Sequence, residues 1–330
     1  MEIPSVRLKE LKGNFLGKRI AVIGDLMLDS YFQGEVKRIS PEAPVPVVEI
    51  DAEEYRFGGA ANVAYNILSL GGIPLTIGVI GEDNDGKIFN ELISEKGISS
   101  QGIFTDASRP TTAKTRVIAE SQHVVRIDKE SKTNISEEIE KKILLHCDEL
   151  FPDVDAIIVQ DYNKGMLTSN VIKNVILKAN KLNKIIAVDP KFQNFFDYKN
   201  VSVFKPNRKE TEDAFGIRLI THEDISEAGK MLFEKLNAKY ILLTLGEEGM
   251  ALFEDSNLEK LFPTKARKVA DVSGAGDTVI STLTMALTAG ARIDEAVYLA
   301  NFAGGLVCQE VGIVPIKLDT LFNIVSSELR

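Results

Sequence analysis

A glycine-rich stretch before an apolar segment is the part of this sequence best suited to chemistry. Residues 271–278 read DVSGAGDT. The small residues Gly274, Ala275 and Gly276 would let backbone N–H groups at a helix N-terminus approach an anion such as phosphate. Asp277 would repel that anion, so it makes sense as a base that takes a proton from a hydroxyl attacking phosphorus. The alternative is a glycine-rich turn in which Asp277 only complements the helix dipole.

Two better-known phosphate motifs are absent from the sequence. No G-x-x-x-x-G-K-[ST] loop occurs in the chain. The dinucleotide fingerprint is incomplete, because Val279 stands where its third glycine would fall. A dehydrogenase is therefore disfavoured.

Polar residues near the N-terminus could hold a sugar. Asp25 and Asp29 follow a predicted strand, and carboxylates at that place accept hydrogen bonds from the hydroxyls of a polyol. Gly58 and Gly59 stand before a predicted helix and permit close approach, while Asn62 both donates and accepts. The alternatives are solvated turn acids and a glycine pair needed only for packing.

Two further stretches suit a nucleotide. Asn207 is predicted to cap a helix that Glu210 enters at its third position, which is a sufficient structural reason for both. The functional interpretation is that they face the phosphates and hold Mg²⁺ through water. Thr244, Gly246 and Gly249 could lie against a ribose or phosphate, or could simply form a hairpin turn.

Alternating elements must position these residues. Short apolar runs predict buried strands at 19–24, 75–80, 156–160, 185–189 and 240–245. Amphipathic stretches predict helices at 60–70, 86–96, 136–150, 169–182 and 223–236, and the last third adds 274–288, 294–309 and 320–327. This order predicts an α/β fold with a doubly wound, mainly parallel sheet and helices on both faces.

Two extended segments interrupt the alternation. Residues 31–55 and 103–128 have period-2 character and no helical period. They predict a small β-sheet that stands off the main domain as a lid, with two surface hairpins as the alternative. No linker divides the chain, so we expect one domain over residues 1–330 with the lid as two insertions.

Composition narrows the class of protein. The 330 residues carry a net charge of −9, which gives no global attraction to nucleic acid or anionic lipid. Cys147 and Cys308 do not make a disulfide framework. The N-terminus lacks the apolar run of a signal peptide, and no uninterrupted membrane-spanning stretch occurs. We expect a soluble, cytoplasmic protein.

Taken in order, these stretches resemble the ribokinase-like, or PfkB, family of carbohydrate kinases. Gly58 and Gly59 with Asn62 are similar to that family's N-terminal signature, and residues 271–277 to its C-terminal one. The N-x-x-E motif of the family matches residues 207–210. The resemblance covers roughly residues 10–320 and implies a doubly wound α/β domain with a β lid.

The resemblance also implies roles. Asp277 would be the catalytic base, and the backbone of Gly274, Ala275 and Gly276 would form the anion hole. Mg²⁺ would accompany ATP near Glu210, and a monovalent cation is a further expectation. The nucleotide-binding residues would be Asn207, Glu210, Thr244, Gly246, Gly249 and Asn301.

Within the family, residues 24–29, 38–47, 115–119 and 161–165 are similar to the branch that phosphorylates D-glycero-β-D-manno-heptose 7-phosphate at O1. This branch serves ADP-heptose synthesis for lipopolysaccharide. Because the sequence ends at Arg330, we expect the kinase-only form, with a separate adenylyltransferase in the pathway. The substrate-binding residues would be Asp29, Gly58, Gly59, Asn62, Arg116, Asp161, Lys164 and Lys191.

Three expectations remain open from the sequence. At least one of Lys164 and Lys191 should contact the sugar phosphate, against the alternative of ordinary surface lysines. The exposed edges of the lid favour a homodimer. The alternative functions are a kinase of the same class for fructose 6-phosphate, fructose or a nucleoside, and a non-catalytic sugar sensor on the same fold.

Overall fold

The computed structural model describes residues 3–120, 122–265, 270–310 and 312–328. Its strands in chain order are β1 (Arg19–Gly24), β2 (Leu26–Ile39), β3 (Pro46–Gly59), β4 (Ile73–Gly81), β5 (Ser99–Asp106), β6 (Ala113–Ala119), β7 (Gln122–Lys129), β8 (Ala156–Gln160), β9 (Ile185–Asp189), β10 (Val203–Phe204), β11 (Tyr240–Thr244), β12 (Met250–Glu254) and β13 (Asn257–Phe262). Its α-helices are α1 (Ser5–Phe15), α2 (Ala60–Ser69), α3 (Asn84–Glu95), α4 (Glu137–Leu150), α5 (Ser169–Lys181), α6 (Arg208–Phe215), α7 (His222–Leu236), α8 (Ala275–Thr288), α9 (Ile293–Val307) and α10 (Leu318–Glu328).

A large sheet organises the molecule. Its strand order is β13-β12-β11-β10-β9-β8-β1-β4-β5, and its pairs are parallel from β5 through to β11. Only β12 and β13 run antiparallel, as a hairpin at one edge. The predicted doubly wound α/β architecture is therefore confirmed.

Helices cover both faces of the large sheet. One apolar cluster joins the sheet to α2, α8 and α9, and a second joins its other face to α4, α5 and α7. The central strands are buried on both faces, which is why they read as continuous apolar runs. Because the strands are parallel, their carboxyl ends meet along one edge, and loops from that edge carry polar residues.

Local signals account for the helix boundaries. The Ser136 side chain caps α4 by accepting a hydrogen bond from the N–H of Ile139. Thr221 and Asp224 form the reciprocal capping box of α7. Helix α1 was not predicted, because Pro4 provides no side-chain cap and the first turn carries no acidic residue.

A second, smaller sheet has the order β3-β2-β6-β7. The second extended segment, predicted at 103–128, is wrong at its start. Residues 103–106 belong to β5 and pair in parallel with β4 at the edge of the large sheet. An edge strand has a strand partner on one side only, so its burial is patchy and resembles that of a surface hairpin. The first extended segment is longer than the predicted 31–55. Strands β2 and β3 pair from Leu26 with Gly59 at one end to Ile39 with Pro46 at the other.

Among the described residues, no helix combines the length and the apolar character needed to cross a lipid bilayer.

Candidate active site

The carboxylate of Asp277 lies buried at the start of α8. Gly274 occupies the N-cap position in the left-handed conformation, with φ +77°. One oxygen of Asp277, Oδ2, accepts a hydrogen bond from Asn62 Nδ2 at 2.7 Å. Its Oδ1 accepts from Gln160 Nε2 at 3.0 Å and from the Tyr162 hydroxyl at 2.9 Å. A carboxylate offers about four acceptor positions, so about one is left, on Oδ2.

Three neighbouring strands of the large sheet supply the surroundings of Asp277. Strand β8 ends at Gln160, β9 ends at Asp189, and Lys205 directly follows β10. Lys205 Nζ lies 3.0 Å from Asp189 Oδ2, and that same oxygen accepts from Gln160 Nε2 at 3.0 Å. Neither these three residues nor Tyr162 had been predicted as site residues. The available signal was a polar side chain at or directly after the end of each apolar run.

This environment sets the proton affinity of Asp277. Burial raises its pKa to about 7, the hydrogen bond from Asn62 opposes the rise, and the negative charge of Asp189 adds to it. Hydrogen bonding by Tyr162 and the charge of Lys205 also favour the ionised form. A buried carboxyl whose pKa lies near neutral pH is suited to general base catalysis.

The two helices that start at glycines meet at this carboxylate. Gly59 is the N-cap of α2 with φ +57°, and the third residue of α2, Asn62, reaches Asp277. Asn66 Nδ2 donates to Asn62 Oδ1 at 3.3 Å, which orients the Asn62 amide with its N–H₂ toward Asp277. A Cβ on Gly274 would lie 2.9 Å from Asn62 Nδ2, so glycine is required there both for φ and for space.

A cavity of about 730 Å³ is lined by Gly276 and Tyr162, which flank Asp277, although Asp277 and Gly274 do not line it themselves. This volume is that of a typical ligand site. Ala275 and Gly276, in the first turn of α8, line it, together with Tyr162. Every residue predicted to bind nucleotide also lines it, namely Asn207, Glu210, Thr244, Gly246, Gly249 and Asn301.

The predicted cap of α6 forms one wall of the cavity. Asn207 and Glu210 make a complete capping box, so the structural interpretation of this pair is confirmed. The Glu210 carboxylate also pairs with Lys191, whose ammonium lies 5.5 Å from the centre of the Tyr162 ring. Burial opposes the charge on Lys191, but the carboxylates of Asp189 and Glu210 raise its pKa.

The stretch after β11 forms the adjoining wall, because Thr244 makes a β-bridge to Asn207. Thr244 ends the strand, a short 3₁₀ turn covers Gly246–Glu248, and β12 follows in antiparallel pairing. The hairpin interpretation is therefore confirmed, and the hairpin faces the cavity. Gly249 has φ +95°, and a Cβ there would collide with the carbonyl oxygen of Phe262. Asn301 is held by its donation to the Pro263 carbonyl at 2.7 Å.

Polar side chains on one face of the small sheet form a second group. Asp29 is buried and pairs with Arg116. A Cβ on Gly58 would collide with Asp29 Oδ2, so the glycine leaves room for this carboxylate. Tyr31 lies between two guanidinium groups, with Arg56 at 4.9 Å and Arg116 at 5.1 Å from its ring centre. Sequence analysis did not single out Arg56 or Tyr31.

Three acidic or basic residues singled out in the sequence have partners outside these two groups. Asp161 is 1% exposed, accepts from the Tyr198 hydroxyl at 2.7 Å, and has a pKa raised by burial to about 6. Lys164 pairs with Glu130 at 2.6 Å. The suggestion that Asp25 binds a polyol is wrong, because its carboxylate is buried and already accepts from three backbone N–H groups.

The chain belongs to the pfkB family of carbohydrate kinases, whose model matches residues 18–320. It is therefore a phosphotransferase that acts on a carbohydrate.

Individual proteins and solved structures are similar to the chain over most of its length. The chain is 40% identical over 309 residues to "Bifunctional protein HldE" of Helicobacter pylori strain J99, and the match covers 94% of the chain but only 66% of that relative. Its fold is similar to that of Arabidopsis thaliana ribokinase complexed with ribose and ATP, with a TM-score of 0.73 and 19% identity over 94% of this chain and 99% of that one. Phosphofructokinase-2 from Escherichia coli, in a tetrameric inhibited form, gives a TM-score of 0.75 and 19% identity over 96% and 100% of the two chains.

Proposed function

We propose that this kinase transfers the γ-phosphoryl group of ATP to O1 of D-glycero-β-D-manno-heptose 7-phosphate, giving the 1,7-bisphosphate used in ADP-heptose synthesis. The substrate class rests on the 40% identity to HldE proteins over almost the whole chain. The observation that carries the chemistry is the Asp277 carboxylate, with one free acceptor position beside a nucleotide-sized cavity. A separate adenylyltransferase in the same pathway stays part of this proposal.

The proposed transfer uses groups already in place. The sugar hydroxyl donates to the open position on Asp277 Oδ2, and its oxygen attacks the γ-phosphorus as the proton passes to the carboxylate. The bond from that phosphorus to the β–γ bridging oxygen breaks, and ADP leaves with its electron pair. Backbone N–H groups of Gly274, Ala275 and Gly276 stabilise the charge on the transferring group.

The cavity supplies the proposed ATP site. The first-turn N–H groups of α8 have no acceptor within the helix. That of Ala275 donates to the Val272 carbonyl at 3.3 Å, and the others would face the phosphates, while Thr244, Gly246 and Asn301 line the space for the rest of the nucleotide. Glu210 fits an ion that keeps several waters and takes few carboxylates, because it is a carboxylate of the cavity wall whose Oε1 is paired with a lysine side chain and not with the backbone. Mg²⁺ there would neutralise phosphate charge, and a monovalent-ion requirement stays a prediction.

Cationic side chains are the proposed anchors of the sugar phosphate. Lys191 lines the cavity next to Tyr162, Arg116 lies beside Asp29, and Lys164 lies at the base of the small sheet beside Glu130. We expect replacement of Lys191 or of Lys164 by Met to raise KM for the phosphorylated sugar more than KM for ATP. Equal effects on the two KM values would refute the assignment to the sugar phosphate.

The small sheet is the proposed lid and dimer surface. In the strand register, Phe32, Val117 and Val125 lie opposite one another and so share one face. Val125 is 48% exposed and Ile127, two residues further along β7, is 55% exposed. Contact with the small sheet of a second copy would bury this apolar face and hold the opposite, charged face over the sugar.

ATP turnover against a panel of sugars tests the proposed function. The panel holds free and 7-phosphorylated heptoses, with fructose 6-phosphate, fructose and a nucleoside as competitors. We expect the highest kcat/KM for the heptose 7-phosphate, with one sugar phosphorylated for each ADP released. Preference for fructose 6-phosphate would overturn the substrate, and binding of a sugar without turnover would favour the sensor.

A further inference from the structure

Asp25 is a buried carboxylate that serves one short loop. It follows β1 directly and is 3% exposed. Its Oδ2 accepts from the backbone N–H groups of Tyr162 at 2.8 Å and Lys164 at 3.1 Å. Its Oδ1 accepts from the N–H of Met166 at 3.3 Å. Alternate N–H groups of residues 162–166, called here the 162–166 loop, thus point at a single side chain.

The backbone of the 162–166 loop turns tightly and passes twice through the left-handed region. Asn163 has φ +55° and Gly165 has φ +84°, both in the left-handed region. A Cβ on Gly165 would collide with the carbonyl oxygen of Thr133. From the other side, the guanidinium of Arg109 donates to the carbonyl of Lys164. Asp25 and Arg109 therefore fix the donors and an acceptor of one loop.

The loop begins at a side chain that touches the candidate catalytic base. The Tyr162 hydroxyl donates to Asp277 Oδ1 at 2.9 Å, while its backbone N–H is the closest of the three donors to Asp25. We propose that Asp25 is a positioning residue, which sets the hydrogen bond from Tyr162 to Asp277 by holding the 162–166 loop. This inference rests on the proposed function, in which Asp277 is the base.

The proposal gives a signed pH dependence. The hydroxyl of Tyr162 stabilises the ionised form of Asp277, so its loss should raise the pKa of that carboxyl and move the acidic limb of the rate profile to higher pH. The other groups facing Asp277 would stay unchanged, which keeps the comparison clean. They are Asn62 on α2, Gln160 and Asp189 at the ends of β8 and β9, Lys205 after β10, and Lys191 beyond Tyr162.

The first experiment measures kcat against pH in Tyr162→Phe, with both substrates saturating. We expect the acidic limb to move upward by about one pH unit, the amount that corresponds to one hydrogen bond to a charged group. The loss of kcat relative to the parent should therefore be larger at pH 6 than at pH 8.5. A profile parallel to that of the parent at every pH would overturn the role of Tyr162.

The second experiment asks whether Asp25 acts through Tyr162. In Asp25→Asn, one acceptor oxygen becomes an N–H₂ group that repels the backbone donors, so we expect an upward shift of the same sign. In the double variant with Tyr162→Phe, Asp25→Asn should add no further shift. An unshifted single variant, or a further shift in the double variant, would contradict the proposal. If Asp25→Asn fails to fold, the milder Arg109→Lys must show a smaller shift of the same sign, and an unshifted profile again contradicts it.

Glu295→Gln provides the matched control. Glu295 is 1% exposed and accepts from the backbone N–H of Arg292 at the start of α9, so its loss also removes a buried carboxylate that holds the backbone. We expect a lower melting temperature with an unshifted pH profile.

Asp277→Asn separates the two proposals. Normal turnover in that variant would defeat the proposed function, whereas a dead Asp277→Asn with unshifted Tyr162→Phe and Asp25→Asn profiles would defeat this inference alone.

Discussion

The two sheets of this molecule differ in how deeply their polar residues are buried and how fully these residues are hydrogen bonded. At the carboxyl edge of the large sheet, Gln160, Asp189, Lys205 and Asp277 are each buried and hydrogen bonded or ion paired. In the small sheet, every residue of β7 is exposed, and β2 becomes exposed beyond its first half. The candidate catalytic groups are thus ordered by the core of this chain, whereas the described residues of the outer small sheet are not packed into that core.

From this difference we expect the two regions to have separate roles. Preorganised groups in a buried site stabilise a transition state without moving, so the large sheet is expected to carry the chemistry. An exposed sheet can close over a ligand or pair with another copy, so the small sheet is expected to affect sugar binding and assembly. Variants in the two regions should therefore separate kcat from KM and from oligomeric state.

Asp277→Asn should give the largest effect. The substituted amide cannot take the proton, so we expect kcat to fall about 10²–10⁴-fold while the protein stays folded. Steady-state kinetics and a thermal melt on the same sample check both parts. Turnover within about threefold of the parent would remove Asp277 from the mechanism and leave the large-sheet edge without its base.

Gly58→Ala should give a smaller and different effect. Its added Cβ would displace Asp29, so we expect KM for the sugar to rise roughly 10–100-fold with KM for ATP little changed. Gly13→Ala is the matched control, because Gly13 lies in α1 with open space around its Cβ position. An equal rise in both KM values would show that the small sheet and the cavity are not separate.

Ile127→Asp should affect assembly most and catalysis least. A charge on the apolar face should weaken self-association at least about tenfold, with kcat unchanged and kcat/KM for the sugar lowered by less than about tenfold. Analytical ultracentrifugation across a concentration series measures the association. Ile220→Asp, at an 80% exposed position before α7, is the control. A parent that is monomeric at all concentrations would contradict the dimer.

Much of the fold was accessible from local sequence patterns. Strands β1, β8 and β9 have the predicted bounds, because fully buried parallel strands read as uninterrupted apolar runs. The prediction erred where a neighbour, and not the local sequence, decides the outcome. The edge strand β5 resembles a hairpin until β4 is placed beside it.

The candidate site likewise contains residues that a local sequence pattern predicts and residues that it does not. Gly274, Gly276 and Asp277 were recognisable because a helix start with glycines is a local signal. Gln160 and Asp189 were not, because their roles depend on Asp277. Gln160 donates to it across 117 residues of chain, and the charge of Asp189 acts on it across 88. The use of Asp25 as a backbone support was equally invisible, since its acceptors and donors are 137 or more residues apart.

The pH dependence of kcat in the unmodified protein tests the central claim most directly. Asp277 must be ionised to act as a base, and burial raises its pKa to about 7, so kcat should fall as the pH drops through 7. At saturation kcat reports the bound complex, whereas kcat/KM for the sugar reports the free protein, so both profiles are measured. We expect a single protonation in each, with a midpoint near pH 7 in kcat/KM and a plateau above pH 8. A kcat that stays constant down to pH 5.5 would contradict the account.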